Sequence, residues 1–224
     1  MARKITGAVF LSLDGVMQAP GGPTEDPTGN FDEGGWMFKI WDPGIEETLG
    51  TLFSGEYDLL LGRRTYDIFA AFWPYAEGDS KPMSEAFDRA NKYVLTCGEQ
   101  PLDWQNSHRL STIEDVARIK EEAGSDIIIQ GSSTIYPALL TAGLIDELIL
   151  MTFPVILGSG KRLFGEGTPV DKLEMVAHRV TDQGTVIATY RPRGELPPYP
   201  AEGPIPSTSD REIERQRKMK AGVW

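Results

Sequence analysis

The residues best suited to chemistry in this chain sit at two glycine junctions. One is Leu59-Leu60-Leu61-Gly62-Arg63-Arg64-Thr65-Tyr66; the other is Ile127-Ile128-Ile129-Gln130-Gly131-Ser132-Ser133-Thr134-Ile135-Tyr136. In each, an apolar run that reads as a buried strand ends at a glycine, and small polar or basic residues open a helix. Such a turn gathers free backbone N–H groups and a positive helix end at the carboxyl edge of a sheet, where open α/β folds bind anions. Two of them in one chain point to an extended, multiply charged ligand such as a dinucleotide.

At the first junction a guanidinium of Arg63 or Arg64 could pair bidentately with a phosphate, while the Thr65 hydroxyl and nearby amides hold another. An arginine beside the adenosine ribose selects a 2′-phosphate, which points to NADPH over NADH. The same arginines also read as surface residues on the first turn of a helix. At the second junction Gly131, Ser132, Ser133 and Thr134 offer amides and hydroxyls to a pyrophosphate. They also read as a serine or threonine cap for a helix over 133–143.

Other candidates are fewer. Phe31, Trp36, Phe38 and Trp41 lie in or beside a glycine-rich stretch and could stack on a planar heterocycle or close as a lid, although packing against a sheet accounts for them too. Lys161 and Arg162 follow Gly158-Ser159-Gly160 and could take a substrate phosphate or simply be solvated turn residues. Cys97 reads as a small core residue. The two histidines, His108 and His178, have no metal-ligand spacing, so no metal site is expected. The chain has no G-x-S-x-G elbow, no complete P-loop and no G-x-G-x-x-G, so a dinucleotide would not bind through the usual Rossmann fingerprint.

These residues must be positioned by an alternating α/β pattern. Residues 4–13 read as a strand stopped by Asp14-Gly15, and 18–35 as a long Gly, Pro and acid-rich loop of the kind that is often functional. Asp42-Pro43 looks like a cap and first turn of a helix reaching about Phe53. Further elements are a strand at 58–62, a helix ending before Pro74, a helix near 83–91, a strand at 92–97, a helix at 113–123, the second junction over 126–143 and a long apolar strand over 145–157 that ends at Gly158-Ser159-Gly160-Lys161. A hairpin over 173–181 and 185–191 turns at Asp182-Gln183-Gly184. The expected fold is therefore α/β, a mostly parallel mixed sheet with a C-terminal antiparallel hairpin and helices on both faces. Residues 1–192 form the expected domain. Residues 193–224 read as an extended Pro-rich tail leading to a charged, solvated or partner-docking helix over 210–220.

Bulk composition narrows the partners. The 224 residues carry 22 Lys and Arg against 33 Asp and Glu, a net charge of −11, which excludes a broad nucleic-acid-binding surface. Between Lys4 and Lys81 only Lys39, Arg63 and Arg64 are basic, so the arginine pair stands alone in an acidic neighbourhood. One cysteine allows no intrachain disulfide, and no apolar run reaches the ~18 residues of a membrane span. A cytoplasmic protein is expected, without membrane or nucleic-acid partners.

Five ordered segments resemble the dihydrofolate-reductase-like superfamily, closest to the reductase domain of bacterial riboflavin biosynthesis. They are Ser12-Leu13-Asp14-Gly15 after the first strand, Leu61 to Tyr66, Tyr93 to Thr96, Gln130 to Tyr136, and Ile145 to Leu148 leading to Pro154 to Gly160. The resemblance covers roughly 3–191 and implies a three-layer fold, NADPH across the strand ends and a homodimer. By position it implies that Gly62, Arg63, Arg64 and Thr65 hold adenosine-side phosphates, with Thr96 near the adenine or its 2′-phosphate. Gly131, Ser132, Ser133, Thr134 and Ile135 would cradle the pyrophosphate, and Val9, Phe10, Met17 and Gln18 would flank the nicotinamide. The implied reaction is hydride transfer to a ribosylamino-pyrimidine, with Trp36 and Lys161 beside the substrate. Folate or pterin reduction, or nucleotide binding without catalysis, are the alternatives. The second junction departs from the Gly-Gly-Gly of dihydrofolate reductases. The buried carboxylate of those enzymes falls on Glu46, which also reads as an acid favoured in a helix's first turn; Asp14 is the other candidate acid, and also a turn-former.

Overall fold

Strands that are apolar at successive positions need cover on both faces, and this requirement organises the molecule. In the computed structural model, which describes residues 2–200 and 208–223, the leucine and isoleucine runs become fully covered strands. The order along the chain is β1 (Ile5–Ser12), α1 (Trp36–Lys39), α2 (Glu46–Leu52), β2 (Tyr57–Gly62), α3 (Arg63–Phe72), α4 (Lys81–Arg89), β3 (Lys92–Leu95), β4 (Ser107–Leu110), α5 (Ile113–Glu121), β5 (Asp126–Gln130), α6 (Tyr136–Thr141), β6 (Glu147–Phe153), β7 (Leu173–Val180), β8 (Val186–Pro192) and α7 (Asp210–Lys220).

The eight strands form one sheet in the order β4-β3-β2-β5-β1-β6-β8-β7. Pairs from β4 through β6 are parallel, and the β6–β8 and β8–β7 pairs are antiparallel. Side chains alternate across the sheet. On one face Ile5, Val9, Leu60, Ile127 and Ile129 pack against Val116 and Ile119 of α5 and Tyr136, Leu139 and Leu140 of α6. On the other, Ala8, Met151, Phe153 and Ile187 meet Trp36 and Met37 of α1 and Ile45 beside α2, while Leu59, Leu61 and Ile128 meet Tyr66 of α3 and Phe87 of α4. The chain builds outward from β1 past β2 to β4, then returns to insert β5 between β2 and β1. The carboxyl ends of β2, β5 and β1 therefore lie side by side at the crevice where such sheets bind ligands.

Local chemistry sets the ends of these elements. Asp42 caps the turn into α2, its carboxylate accepting from Gly44 N at 2.9 Å, with Pro43 at the first position. Thr112 and Asp115 form a reciprocal capping box on α5. Two local readings are corrected, that of Cys97 and that of the helix start at the second junction, and one strand, β4, escaped the sequence. β3 ends at Leu95, so Cys97 lies in the following turn and is exposed. The short edge strand β4, Ser107-His108-Arg109-Leu110, presents one fully buried side chain and lacks a strand's apolar pattern. At the second junction the helix starts at Tyr136, with no serine or threonine side chain capping it. Beyond β8, α7 buries none of its residues. No helix among the described residues is long and apolar enough to cross a membrane.

Candidate functional site

The two junctions are bonded to each other. Gly62 N donates to Ser132 Oγ at 2.9 Å, and Ser132 N donates to Thr65 Oγ1 at 3.0 Å. The serine and threonine hydroxyls that seemed available for a cap thus fasten β2–α3 to β5–α6. Gly131 and Ser132 both adopt left-handed backbone with φ of 65°. That conformation costs a non-glycine residue about 1–2 kcal/mol, and the Gly62–Ser132 hydrogen bond holds Ser132 in it. A Cβ on Gly131 would stand 3.1 Å from Thr65 Cγ2, and one on Gly62 would stand 3.2 Å from Ile135 Cγ2. The turn leaves the N–H groups of Ser133 and Thr134 without a partner among the described residues. Beside them α3 opens from Gly62 with no side-chain cap. Adjacent free amides around a left-handed turn make an anion-binding concavity.

Arg63 and Arg64 flank this cradle differently. Arg63 Nε donates to Asp67 at 2.8 Å and Nη1 to the Gln100 carbonyl at 2.9 Å, leaving Nη2 to spare. The Asp67 hydrogen bond pushes its pKa up. Arg64 is half exposed, its Nη1 3.8 Å from Asp26. Thr96 closes the β3 turn, accepting from Gly98 N at 3.0 Å. Beyond Arg63 lies a cleft of about 510 Å³ against α3, lined among others by Tyr66, Trp104 and the carboxylates Asp67, Asp88 and Asp103. Those acids suit it poorly to phosphate.

At the ends of β1 and β6 the chain forms a small ribbon. Val16 bridges Arg162 in antiparallel fashion, and Met17 N donates to Lys161 O at 2.9 Å. Asp14 fastens the ribbon. Its carboxylate accepts from Ser12 Oγ at 2.7 Å, Leu157 N at 3.0 Å and Gly158 N at 2.9 Å, with Arg162 at 3.3 Å. The Ser12 hydroxyl, aided by these amides, lowers its pKa to about 2. A carboxylate so engaged stays ionised and holds structure; it carries no proton to donate near neutral pH.

Gln18, buried, organises the 18–35 loop. Its Nε2 donates to the carbonyls of Asp26 at 2.9 Å and Thr28 at 2.8 Å, its Oε1 accepts from Lys161 N at 2.9 Å, and its carbonyl accepts from the Trp36 indole at 2.9 Å. Lys161 Nζ pairs with the Asp26 carboxylate and donates to Thr28 Oγ1 at 2.6 Å. Burial pushes Asp26 up, but the Lys161 and Thr28 hydrogen bonds outweigh it and hold the carboxyl below its usual range. Asp26 thereby links Lys161, after β6, to Arg64, at the head of α3, and draws the loop across the strand ends. Nothing in its Gly- and Pro-rich surroundings marked Asp26 in the sequence, because both partners are distant.

The remaining candidates separate. Val9 and Met17 are buried on the α5–α6 side, whereas Phe10 is half-buried on the α1–α2 side. Trp36 is a core residue, edge-on to Phe153 at 5.6 Å. Phe38, exposed, stacks on Trp41 at 5.2 Å. Glu46 lies exposed on the first turn of α2, so the buried carboxylate of folate reduction is not formed there. Gln130 had no separate role in the sequence, yet its Oε1 is buried without a partner at the end of β5.

A mostly parallel sheet, with its two strand–glycine–helix junctions bonded to each other at the carboxyl edge, defines the class of fold as α/β. The chain belongs to the RibD C-terminal domain family, whose model matches residues 3–187. It is 26% identical over 195 residues to the uncharacterised protein YyaP of Bacillus subtilis (strain 168), covering 86% of this chain and 96% of that one. It is 28% identical over 179 residues to the uncharacterised protein YwjB of the same organism, covering 78% and 90%. A putative riboflavin biosynthesis protein from Shewanella sp. PV-4 shares the fold with a TM-score of 0.63 at 20% identity, covering 86% and 99% of the two chains. Enterococcus faecalis dihydrofolate reductase, complexed with NADP(H) and RAB-propyl, superposes with a TM-score of 0.54 at 15% identity, covering 86% and 99%. A pyrimidine reductase-like protein from Corynebacterium diphtheriae gives the same TM-score and identity, covering 86% and 93%.

Proposed function

We propose that this protein is an NADPH-dependent reductase of the riboflavin-pathway type, transferring hydride to an imine carbon of a small ribosylamino-pyrimidine or related heterocycle. The observation that carries this reading is the fused cradle, with its left-handed Gly131-Ser132 turn and the unpartnered Ser133 and Thr134 amides. A side chain at Gly131 would press on Thr65, so glycine is what lets the two junctions close on each other and leave the free amides in one concavity, which suits a pyrophosphate. The residues present fit NADPH. Gly131, Ser132, Ser133, Thr134 and Ile135 hold the pyrophosphate; Gly62, Arg63, Arg64 and Thr65 hold the adenosine-side phosphates, with Thr96 nearby. Phe10 and Gln18 would border the nicotinamide, while Val9 and Met17 pack in the core on the α5–α6 side.

Bound there, NADPH supplies the hydride chemistry. The chain's own residues bind, orient and exclude water. Asp14 and Gln18 fix the ribbon and loop that border the reacting carbon, and Lys161 and Asp26 keep the loop down. With Asp14 ionised and Glu46 exposed, neither carboxylate serves as the proton donor to the substrate nitrogen. Trp36 supports the site from the core. A reducing, cytoplasmic compartment fits this reading, with Cys97 a free, exposed thiol. A thermal-shift titration tests the cofactor assignment: NADPH at a hundred times its Kd adds about 2.7 kcal/mol of stability, so Tm rises. Equal shifts with NADH would refute selection of the 2′-phosphate, and no shift with either would refute the reductase.

A further inference from the structure

α7 is a helix without a core. Ser209 caps its first turn, accepting from Glu212 N at 3.3 Å. Gly222, with φ of 65°, turns the chain at the other end, where Val223 N donates to Lys218 O at 2.9 Å. Yet none of its 11 residues is buried. Helices this short are marginal in water on their own and owe their stability to packing. A helix with both ends made and no face covered therefore calls for a partner, and it lies beyond the family match, which ends at residue 187. Its composition says what that partner must offer. Residues 208–224 hold five cations against three acids, in a chain whose net charge is −11, so the rest of the chain is more acidic still. Glu212 and Glu214 are taken up by Arg215, Arg217 and Lys218 within the helix, leaving Lys220 without an ion pair among the described residues. Ile213, Gln216 and Lys220 follow one another at spacings of four or less, on one side of the helix, with Met219 flanking them; Ile213 and Met219 are exposed.

The cleft of about 510 Å³ against α3 has the complementary make-up. Asp67, Asp88 and Asp103 line it. Asp67 holds Arg63 and Asp88 holds the Trp104 indole, but exposed Asp103 has no hydrogen bond or ion pair among the described residues. Tyr75, on the cleft wall, is 77% exposed, and Phe72, at the end of α3, is 55% exposed. Aromatic rings open to water beside uncommitted acid are the make-up of a docking surface. We propose that α7 of one copy docks on the α3 cleft of a second copy, with Lys220 facing Asp103 and with Ile213 and Met219 covering Phe72 and Tyr75. The partner is a second copy because α7 buries nothing against its own chain. By contour length, at no more than about 3.5 Å per residue, residues 193–209 allow about 60 Å between β8 and the helix, enough to reach across a neighbouring molecule.

The probe is a fluorescein-labelled peptide of residues 208–224, titrated with the full chain and followed by anisotropy. Binding should saturate in the micromolar range and weaken as salt rises. Asp103→Lys in the full chain should weaken it about tenfold or more, because like charges then meet across the interface. Tyr75→Ala should weaken it as well, and both positions are exposed, so neither change threatens the fold. A Lys220→Glu peptide should bind the wild type poorly and regain affinity on the Asp103→Lys chain, a recovery that general charge attraction does not give. No saturable binding, undiminished affinity in both variants, or no recovery in the exchanged pair overturns the assignment. Zero-length carbodiimide coupling of the full chain alone then identifies the occupant. A Lys220–Asp103 link in the covalent dimer supports the second copy; the same link confined to single chains, or links from α7 to other acids only, overturns it.

Discussion

At the residue scale Asp14 shows how a carboxylate beside a site can serve structure. Two backbone amides, a hydroxyl and an arginine converge on it, and its pKa falls to about 2. Since its unfolded value is about 3.9, the ionised form is favoured in the native state. The contribution is fully present above about pH 4 and is lost as pH falls through 2. Asp14→Asn should cost about 1–2 kcal/mol at pH 7, with the difference from wild type shrinking towards pH 2, as urea unfolding at several pH values would show. An unchanged difference across that range would contradict the assignment. The aspartate and its glycine were visible in the sequence as a pair with two roles. What decides between them is the 157–158 backbone, brought back by β6 and invisible in local pattern.

At the element scale the two strand–glycine–helix units act as one. Strand and helix boundaries were largely legible because apolar runs, Asp42-Pro43 and the Thr112 box are local signals. The start of α6 was not legible, because Ser132 and Thr65 spend their hydroxyls on each other's junction rather than on a cap. The short strand β4 escaped for the opposite reason: pairing with β3 makes it a strand despite its polar residues. Gly131→Ala tests the fusion. Left-handed backbone costs alanine about 1–2 kcal/mol, and the added Cβ meets Thr65 at 3.1 Å. Chemical unfolding should show a loss of about 1–3 kcal/mol together with weakened NADPH binding. Normal stability and affinity would mean that the turn does not form as described.

At the scale of the whole molecule, the edge strand β7 is exposed along most of its length, with Met175, Val176 and Val180 open to solvent. Apolar edge strands seek partners, and a homodimer through this edge is expected. Light scattering should give twice the 24.7 kDa chain mass, and Val180→Lys should shift it towards the monomer; a monomeric wild type would contradict the pairing. Removing the helical end, residues 208–224, should leave Tm nearly unchanged, because no residue of α7 is buried.

The binding of NADPH at the fused junctions is tested most directly by titrating the pure protein with NADPH and with NADH, following nicotinamide fluorescence, beside an Arg63→Ala, Arg64→Ala double variant. The expected result is tight NADPH binding by the wild type, weaker NADH binding, and a loss of about 1.5–3 kcal/mol for NADPH in the variant. No NADPH binding by the wild type, or equal affinity in the variant, would contradict it.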